Sequence, residues 1–484
     1  MKLLELISKI KVSEIAGSND ANICSLGFDS RNVCANQLFF AVAGTNTDGH
    51  HFIDDAIRQG ATAIVCEHFP ETLNEKTSYI KVDNSNAAMG IIASEFYGNP
   101  SSKLKLVGIT GTNGKTTTAT LLYRLIKNYG YRAGLISTIA NYIDNQKIET
   151  THTTPDAIRL NELICKMVEA GCDYCFMEVS SHSVVQERIA GLTFAGGIFS
   201  NITRDHLDYH GSFEEYIKAK KKFFDNLPAS AFALTNIDDR NGKVMMQNTK
   251  AKYKTYALKK IADYKCKILE LGFTGMLLNI DNMDVWTKCI GVFNAYNLLA
   301  VYAAARELGI EKNEALRLLS DLNPAAGRFE CIRANNNVTA IIDYAHTPDA
   351  LENVIATITE ICSKKQLITV VGCGGNRDRG KRPIMAKIAG ENSGLAILTS
   401  DNPRNEKPED ILKDMCEGLT PACLKKTLII ADRREAIRTA VMMAKPDSVI
   451  LVAGKGHESY QEINGVRNHF SDREIINEIF NNIK

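Results

Sequence analysis

The chain lacks a surplus of charge: 57 basic and 56 acidic residues leave a net +1 over 484 residues. Nucleic-acid and membrane-surface partners call for a basic excess, so no nucleic acid is expected as a partner. Long apolar runs are missing too. No stretch approaches the ~20 consecutive apolar residues of a membrane span, so no membrane insertion is expected. Glu5 and Lys9 interrupt the opening residues, which makes them a poor secretory leader. There is no paired cysteine framework. Thirteen scattered cysteines, an odd number, fit reduced thiols and a cytoplasmic location. Cys172 and Cys175 form a Cys-x-x-Cys with no second pair at zinc spacing. On a strand-like run that spacing sends side chains to opposite faces, so both read as small core residues. Repeats and low-complexity tracts are also absent.

What is present is material for several cores. Hydrophobic residues make up 45% of the chain, and its length suggests roughly three domains. Leu38–Ala43 and Ala63–Cys66 read as strands, Phe52–Gln59 as a helix, and a helical stretch runs on to Tyr97. Gly98–Ser102 is rich in turn residues and reads as a linker. The next segment alternates strand and helix signals, with strand-like Asp173–Val179 and Gly197–Ser200 and a helix near Ala295–Leu308. The chain breaks again at Asn323–Glu330. The last segment is the most regular, with strand-like runs at 338–343, 366–371, 395–399, 427–431 and 448–453 and helices between them. Such alternation implies parallel sheets covered on both faces, with ligands at the carboxyl ends of the strands. The loops there are polar or glycine-rich: Asp343–His346, Gly372–Arg379, Asp401–Arg404 and Gly454–Glu458.

Residues 106–118 carry the sharpest signal. An apolar run ends at Thr110, a loop holds Gly111, Thr112, Asn113, Gly114 and Lys115, and a helix begins near Thr116 and Thr117. Backbone N–H groups of such a loop cradle phosphate oxygens. Lys115 neutralises β/γ charge, the Thr116 hydroxyl suits Mg²⁺, and the helix N-terminus favours the anion. Ile109 stands where the strict phosphate-loop pattern has glycine, but the strand–loop–helix context opposes a chance Gly-Lys-Thr in a turn.

Glu178 ends a strand-like run and reads either as a metal-binding carboxylate or as an exposed strand-end acid. His206 and His210 lie four apart, which on a helix places them on one face. No glutamate base of a zincin accompanies them, so one histidine on Mg²⁺ or phosphate is the better reading. Lys218, Lys220, Lys221 and Lys222 read on their own as a solvated helix face. Arg404, in a loop after a strand, reads as a fork aimed at a carboxylate.

Thr110-Gly-Thr-Asn-Gly-Lys-Thr-Thr, Met177-Glu-Val-Ser-Ser-His, Asn201-Ile-Thr-Arg-Asp-His-Leu-Asp-Tyr-His-Gly, Asp343-Tyr-Ala-His-Thr-Pro-Asp-Ala and Ala453-Gly-Lys-Gly-His-Glu occur in this order. Together they resemble the Mur ligase family, within it the branch that adds the third amino acid of the peptidoglycan stem peptide. The resemblance covers all three segments. It implies an α/β fold of three domains, each with a mainly parallel sheet. These are a UDP-binding domain at 1–98, a central P-loop ATPase-like, ATP-binding domain at 99–331 and a C-terminal Rossmann-like, amino-acid-binding domain at 332–484. The implied substrates are ATP, UDP-N-acetylmuramoyl-L-alanyl-D-glutamate and meso-diaminopimelate, and a monomer is expected. A carboxylate is a poor electrophile; phosphorylation supplies a leaving group, and Lys115 and Mg²⁺ cancel the charge of anion attacking anion.

The resemblance also implies roles. Ser30, Thr45, Asn46 and Thr47 match the stretch that holds the uridine diphosphate, with Phe28 in place of a common leucine. Thr153, Thr154, Ser180, Gln186 and Arg188 match binders of the muramoyl dipeptide, and His152 replaces an asparagine. Thr116, Glu178 and His206 match the magnesium set. Asn294, Asn297, Arg328, Asp343 and His346 match positions around ATP. Lys220 matches a lysine carbamylated by CO₂, where an ammonium would repel a cation and a carbamate supplies an anionic oxygen. Lys115, Lys220 and His206 are thus the implied catalytic residues. Asp401, Asn402, Pro403 and Arg404 match the diaminopimelate-adding form of the family, with Arg377, Gly454 and Glu458 as further amino-acid contacts. With L-lysine, Arg404 would face no anion, a costly arrangement. Rival readings are the same ligase using L-lysine, a nucleotide-dependent switch and a sugar kinase.

Overall fold

The structure is a computed structural model, and it describes residues 1–17, 20–44, 47–148, 150, 153–362 and 367–482. By contacts the chain forms two compact units. The first holds 1–111, 122–200 and 212–255; the second holds 112–121, 201–211 and 256–484.

In the first unit, β1 (Val12–Ala16), β2 (Ser25–Gly27), β3 (Gln37–Phe40), β4 (Ala61–Cys66) and β5 (Ser78–Val82) form a sheet in the order β1-β5-β4-β3-β2. All its pairs are parallel except β1, which lies antiparallel on the edge against β5. Successive side chains serve opposite faces. Leu38, Phe40, Ala63 and Val65 enter one core, and Phe39, Ala41, Ile64 and Cys66 enter another. Burial on both faces explains why these strands read as continuous apolar runs. Asn84 caps the helix Ser85–Phe96 by accepting from the Ala87 N–H, and that helix buries Met89 and Ile92. The stretch read as a linker at 98–102 is instead packed. Pro100 and Ser101 are buried, and the Ser101 hydroxyl accepts from the Thr193 N–H at 3.0 Å.

The second sheet of this unit comprises β6 (Lys105–Thr110), β7 (Ala133–Ile136), β8 (Asn141–Ile143), β9 (Gln146–Ile148), β10 (Tyr174–Glu178), β11 (Gly196–Phe199) and β12 (Phe232–Asn236). Their order is β12-β11-β6-β10-β7-β8-β9. The five strands from β12 to β7 run parallel, and β8 and β9 add an antiparallel margin. Strand β6 lies between β10 and β11, so the loop leaving its carboxyl end opens where chain order reverses, a favoured ligand position. Cys175 is fully buried and Cys172 nearly so, as small core residues.

β13 (Lys252–Ala257) runs from the first unit into the second. There β14 (Tyr264–Gly272), β15 (Gly275–Ile280) and β16 (Met283–Thr287) form an antiparallel meander. The helix Val292–Glu307 follows. The large sheet of the second unit contains β17 (Glu330–Arg333), β18 (Thr339–Asp343), β19 (Leu367–Cys373), β20 (Leu395–Ser400), β21 (Thr427–Ile429) and β22 (Val449–Ala453). Its order is β17-β18-β22-β19-β20-β21. Only β17 is antiparallel. The register pairs Asp343 with Ala453, Ala453 with Val371, and Cys373 with Ser400. The carboxyl ends therefore line up, and the four polar loops emerge along one edge. A hairpin, β23 (Tyr460–Ile463) and β24 (Val466–His469), follows the last loop.

Candidate active site

Gly114 sets the phosphate loop. Its φ is 87°, and a Cβ there would lie 2.4 Å from Asn297 Oδ1, so glycine fits on both counts. Asn297 is buried. Its Oδ1 accepts from the Thr118 hydroxyl at 3.4 Å and its amide donates to Asn294 Oδ1 at 3.1 Å. The buried Asn294 donates in turn to the Ile290 carbonyl. From the helix Val292–Glu307, Asn297 packs against Gly114 and Asn294 holds Asn297 in place.

The loop is also laced to 201–203. The Thr112 N–H donates to the Asn201 carbonyl at 2.8 Å, and the Asn113 N–H to Asn201 Oδ1 at 2.9 Å. Asn201 Nδ2 returns a bond to the Asn113 carbonyl at 3.1 Å. Asp349 Oδ2 accepts from Asn113 Nδ2 at 2.8 Å and from the Thr203 hydroxyl at 3.3 Å. Lys115 Nζ donates to the Thr112 carbonyl at 2.8 Å, curling over its own loop. Arg328 reaches the Thr116 hydroxyl at 3.3 Å and lies over the Tyr344 ring at 4.6 Å. Its buried Nε has no hydrogen-bond partner among the described residues. Asp343 is buried and accepts from the Phe329 N–H at 2.7 Å. Burial pushes its carboxyl up to about 6, against the opposing pull of Arg328. His346 is exposed, with its Nδ1 2.9 Å from the Tyr344 carbonyl.

His206 and His210 do not share the regular face of one helix. His206 has left-handed backbone, φ 52°, and caps the one-turn helix Leu207–His210. Burial works against the charge of its neighbour Asp205. The pull of His206, His346 and Lys115, together with the His206 N–H that donates to it at 2.9 Å, outweighs burial and holds that carboxyl below its ordinary value.

In the first unit, Glu178 is 1% exposed, which overturns the exposed-acid alternative. Its Oε1 accepts from the Thr138 N–H at 2.7 Å, while Oε2 is buried without a hydrogen-bond partner among the described residues. An orphaned, buried carboxylate oxygen suits a hard cation. Lys220 is also 1% exposed, unlike a residue of a solvated face. Its Nζ donates to the Gly111 carbonyl at 2.8 Å and lies 4.7 Å from the Tyr216 ring centroid. Lys218 keeps to the surface beside Glu214 and Glu215, and Lys222 pairs with Glu187. Lys221 is largely covered and donates to both oxygens of Asp225, so the solvated-face reading fails there too.

Thr154, Ser180, Gln186 and Arg188 converge in the same unit. The Thr154 hydroxyl donates to the Glu178 carbonyl at 2.9 Å and lies 3.4 Å from the Ser180 hydroxyl. Arg188 donates to the Thr154 carbonyl at 2.6 Å and twice to Gln186 Oε1. Thr153 accepts from the Thr138 hydroxyl at 3.1 Å. Ser30 begins a short 3₁₀ turn, and its carbonyl accepts from Gln59. The Thr47 carbonyl accepts from the Gly44 N–H at 3.0 Å. Thr45, Asn46 and His152 lie outside the described residues. Asp48, His50 and His68 also gather in this unit, close enough to suggest a metal. His50 Nε2 accepts from the Glu67 N–H, so Nδ1 carries the proton given to Asp48. That tautomer leaves the His50 ring no lone pair for an ion.

In the second unit, the amino-acid residues cluster on the loops after β20 and β22. Asn402 Nδ2 donates to Glu458 Oε2 at 2.8 Å, and buried Lys455 donates to both Asn402 Oδ1 and Glu458 Oε2. The Asp401 carbonyl accepts from Gln461 at 2.7 Å. Gly454 lies so close that a Cβ would be 2.5 Å from Asp401 Oδ2. Pro403 is buried next to Arg404, whose guanidinium donates to the Gly375 carbonyl at 2.8 Å and sits 3.8 Å from Glu462. Arg377 is exposed, with a 3.4 Å contact to the Asn376 carbonyl. Asn201, Asp349 and Lys455 were not singled out from the sequence, although each lies inside a quoted motif.

Three family profiles match the chain: "Mur ligase family, catalytic domain" over residues 22–97, "Mur ligase middle domain" over 109–305 and "Mur ligase, glutamate ligase domain" over 327–456. The chain is 57% identical over 483 residues to the UDP-N-acetylmuramoyl-L-alanyl-D-glutamate–2,6-diaminopimelate ligase of Phocaeicola vulgatus, with 100% of both chains covered. The ligase of that same description from Cytophaga hutchinsonii is 54% identical, again over 100% of both. A solved structure of a ligase so described superposes with a TM-score of 0.72 at 32% identity, covering 100% of this chain and 99% of the other. The MurF ligase of Thermotoga maritima in complex with ADP shares the fold, with a TM-score of 0.61 at 20% identity over 95% and 97% of the chains.

Proposed function

The chain belongs to the Mur ligase family, and from that membership we propose that it joins meso-diaminopimelate to UDP-N-acetylmuramoyl-L-alanyl-D-glutamate at the expense of ATP. The reaction serves peptidoglycan precursor synthesis in the cytoplasm, carried out by a monomer. The observation that carries the substrate assignment is the loop Asp401–Arg404 beside Glu458. It brings a guanidinium, a carboxylate and their neutral frame to the carboxyl edge of one sheet.

The D-glutamate carboxylate attacks the γ-phosphorus of ATP, and ADP leaves with the electron pair of the broken P–O bond. The amine of diaminopimelate adds to the acyl phosphate, loses a proton, and phosphate departs as the amide forms. In the first unit, Ser30, Thr45, Asn46 and Thr47 take the uridine diphosphate, and Thr153, Thr154, Ser180, Gln186 and Arg188 the muramoyl dipeptide. Glu178, with its orphaned buried oxygen, serves as a magnesium ligand, and Lys220, as its carbamate, as another. In the second unit, Thr116 and His206 are magnesium ligands. Bound Mg²⁺ supplies charge neutralisation at phosphate oxygens.

The loop from Gly111 to Thr117 holds the phosphates by its backbone N–H groups, with Lys115 on the transferred group. Asn294 and Asn297 fix that loop, and Arg328, Asp343 and His346 surround the nucleotide. Arg404 binds the distal carboxylate of diaminopimelate by a fork, with Arg377, Asp401, Asn402, Pro403 and Gly454 shaping the pocket. Glu458 receives the ammonium.

Phosphate release tests the reading. A ligase releases phosphate only when acceptor and amine are both present. A nucleotide switch releases it from ATP alone, and a kinase accumulates a stable phosphorylated acceptor; either result would refute the proposal.

A further inference from the structure

Arg404 holds an uncommon backbone. Its φ is 52°, in the left-handed region, and Asn376 across the gap has the same φ of 52°. A non-glycine residue stays there only where its surroundings over-determine it. Those surroundings are specific. The Arg404 N–H donates to the Glu462 carbonyl at 3.0 Å, and its carbonyl accepts from the Asn464 N–H at 2.8 Å. The guanidinium seats on the Gly375 carbonyl. Gly375 itself donates its N–H to the Asn402 carbonyl at 2.9 Å, and a Cβ on it would lie 1.9 Å from the Pro403 carbonyl. The loop 374–376 is therefore the floor on which Arg404 rests.

That floor is gripped from below. Arg382, in the first turn of the helix Lys381–Asn392, is fully buried. Its guanidinium forms a fork on Glu406, with distances of 3.0 and 2.8 Å, and reaches Asp414 at 2.7 Å. Arg379 binds Asp414 as well, so two cations face two anions. Glu406 Oε1, held by Arg382, also accepts from the Asn376 N–H. The Asn405 N–H closes the ring on Asn376 Oδ1 at 3.2 Å. Glu406 is thus tied at one side to a fixed cation and at the other to the residue that follows the Arg404 seat. No substrate contact is needed from either partner.

We propose that Arg382 and Glu406 are positioning residues that set Arg404, and through it the selectivity for an amino acid with a distal carboxylate. The proposal rests on the reading of Arg404 given above. With Glu406 neutral, Arg382 turns toward Asp414, the Asn376 amide loses its charged acceptor, and the Gly375 carbonyl is no longer fixed under Arg404. A fork displaced this way loses a carboxylate far more than it loses an aliphatic amine.

The test compares wild type, Glu406→Gln, Arg382→Lys and Arg404→Ala in the full-length enzyme, with kcat/KM measured for meso-diaminopimelate and for L-lysine. The expected result for Glu406→Gln and Arg382→Lys is a fall of about tenfold or more in the ratio of the two values, carried by KM for diaminopimelate. KM for ATP should stay within about twofold. A merely weakened fold would lower both substrates together and leave the ratio unchanged, and that result overturns the proposal. If Arg404→Ala collapses the ratio while Glu406→Gln keeps it, the role of Arg404 stands and the positioning role falls. If Arg404→Ala keeps the ratio, both fall. Arg382→Lys guards against a Glu406 variant that fails to fold, and a ratio unchanged in it is equally contradictory.

Discussion

At Lys220 burial and charge are in tension. An ammonium taken out of water is costly unless its surroundings compensate, and Lys220 lies against a carbonyl and the face of a tyrosine. Carbamylation would exchange that cation for an anion within a buried site, which is chemistry a surface lysine has no use for. Lys220→Ala should therefore lower kcat by about 10²-fold or more, as loss of a preorganised charged group does. Small carboxylates such as formate or acetate should restore part of the rate by occupying the space of the carbamate. Full activity without such rescue would show that this side chain serves packing alone. The run Lys218–Lys222 shows why residue types alone mislead: Lys218 is solvated, while Lys220 and Lys221 are turned inward by helical geometry. The family register singled out Lys220, while the covering of Lys221 became legible only in the fold.

The loop 111–117, which we propose holds the phosphates of ATP, is held from outside itself. Asn201, Asp349 and Asn297 supply its braces. Gly114→Ala would force a side chain into left-handed backbone, at about 1–2 kcal/mol, and into Asn297 as well. ATP affinity, followed by calorimetry, should fall about tenfold or more for such a penalty; unchanged affinity would mean that Gly114 is not needed for the loop's shape.

Elements like this one were legible because strand, glycine loop and helix adjoin in sequence. The parallel strands β18, β19, β20 and β22 were legible for another reason, since burial on both faces makes them continuous apolar runs. The antiparallel additions were not. β16 is mostly exposed and β24 entirely so, which leaves no hydrophobic period to read. The shared helical face read for His206 and His210 failed for a local reason, because the left-handed backbone at His206 breaks the spacing rule for a helical pair.

Across the whole molecule, the motifs supplied names and the fold supplied partners. Arg404 could be read from its place after a strand as a fork for a carboxylate, and Asp401–Arg404 as an amino-acid loop only through the family resemblance. Arg382 and Glu406 could not, because 24 residues separate them and nothing in either local stretch predicts a shared carboxylate. Asn113 and Asp349 are 236 residues apart and meet only in the folded chain. The near balance of charge fits small-molecule substrates, since local clusters such as Lys455 with Glu458 provide the electrostatics that a global field would not.

The division of labour we propose is activation by residues 111–117 and choice of amine by residues 401–404. Purified enzyme given ATP, Mg²⁺ and UDP-N-acetylmuramoyl-L-alanyl-D-glutamate should form the UDP-linked tripeptide with meso-diaminopimelate at least about 10²-fold more efficiently than with L-lysine, and up to the ~10⁴–10⁵-fold that sites built around a polar contact reach. Equal efficiencies, or a preference for lysine, would contradict it.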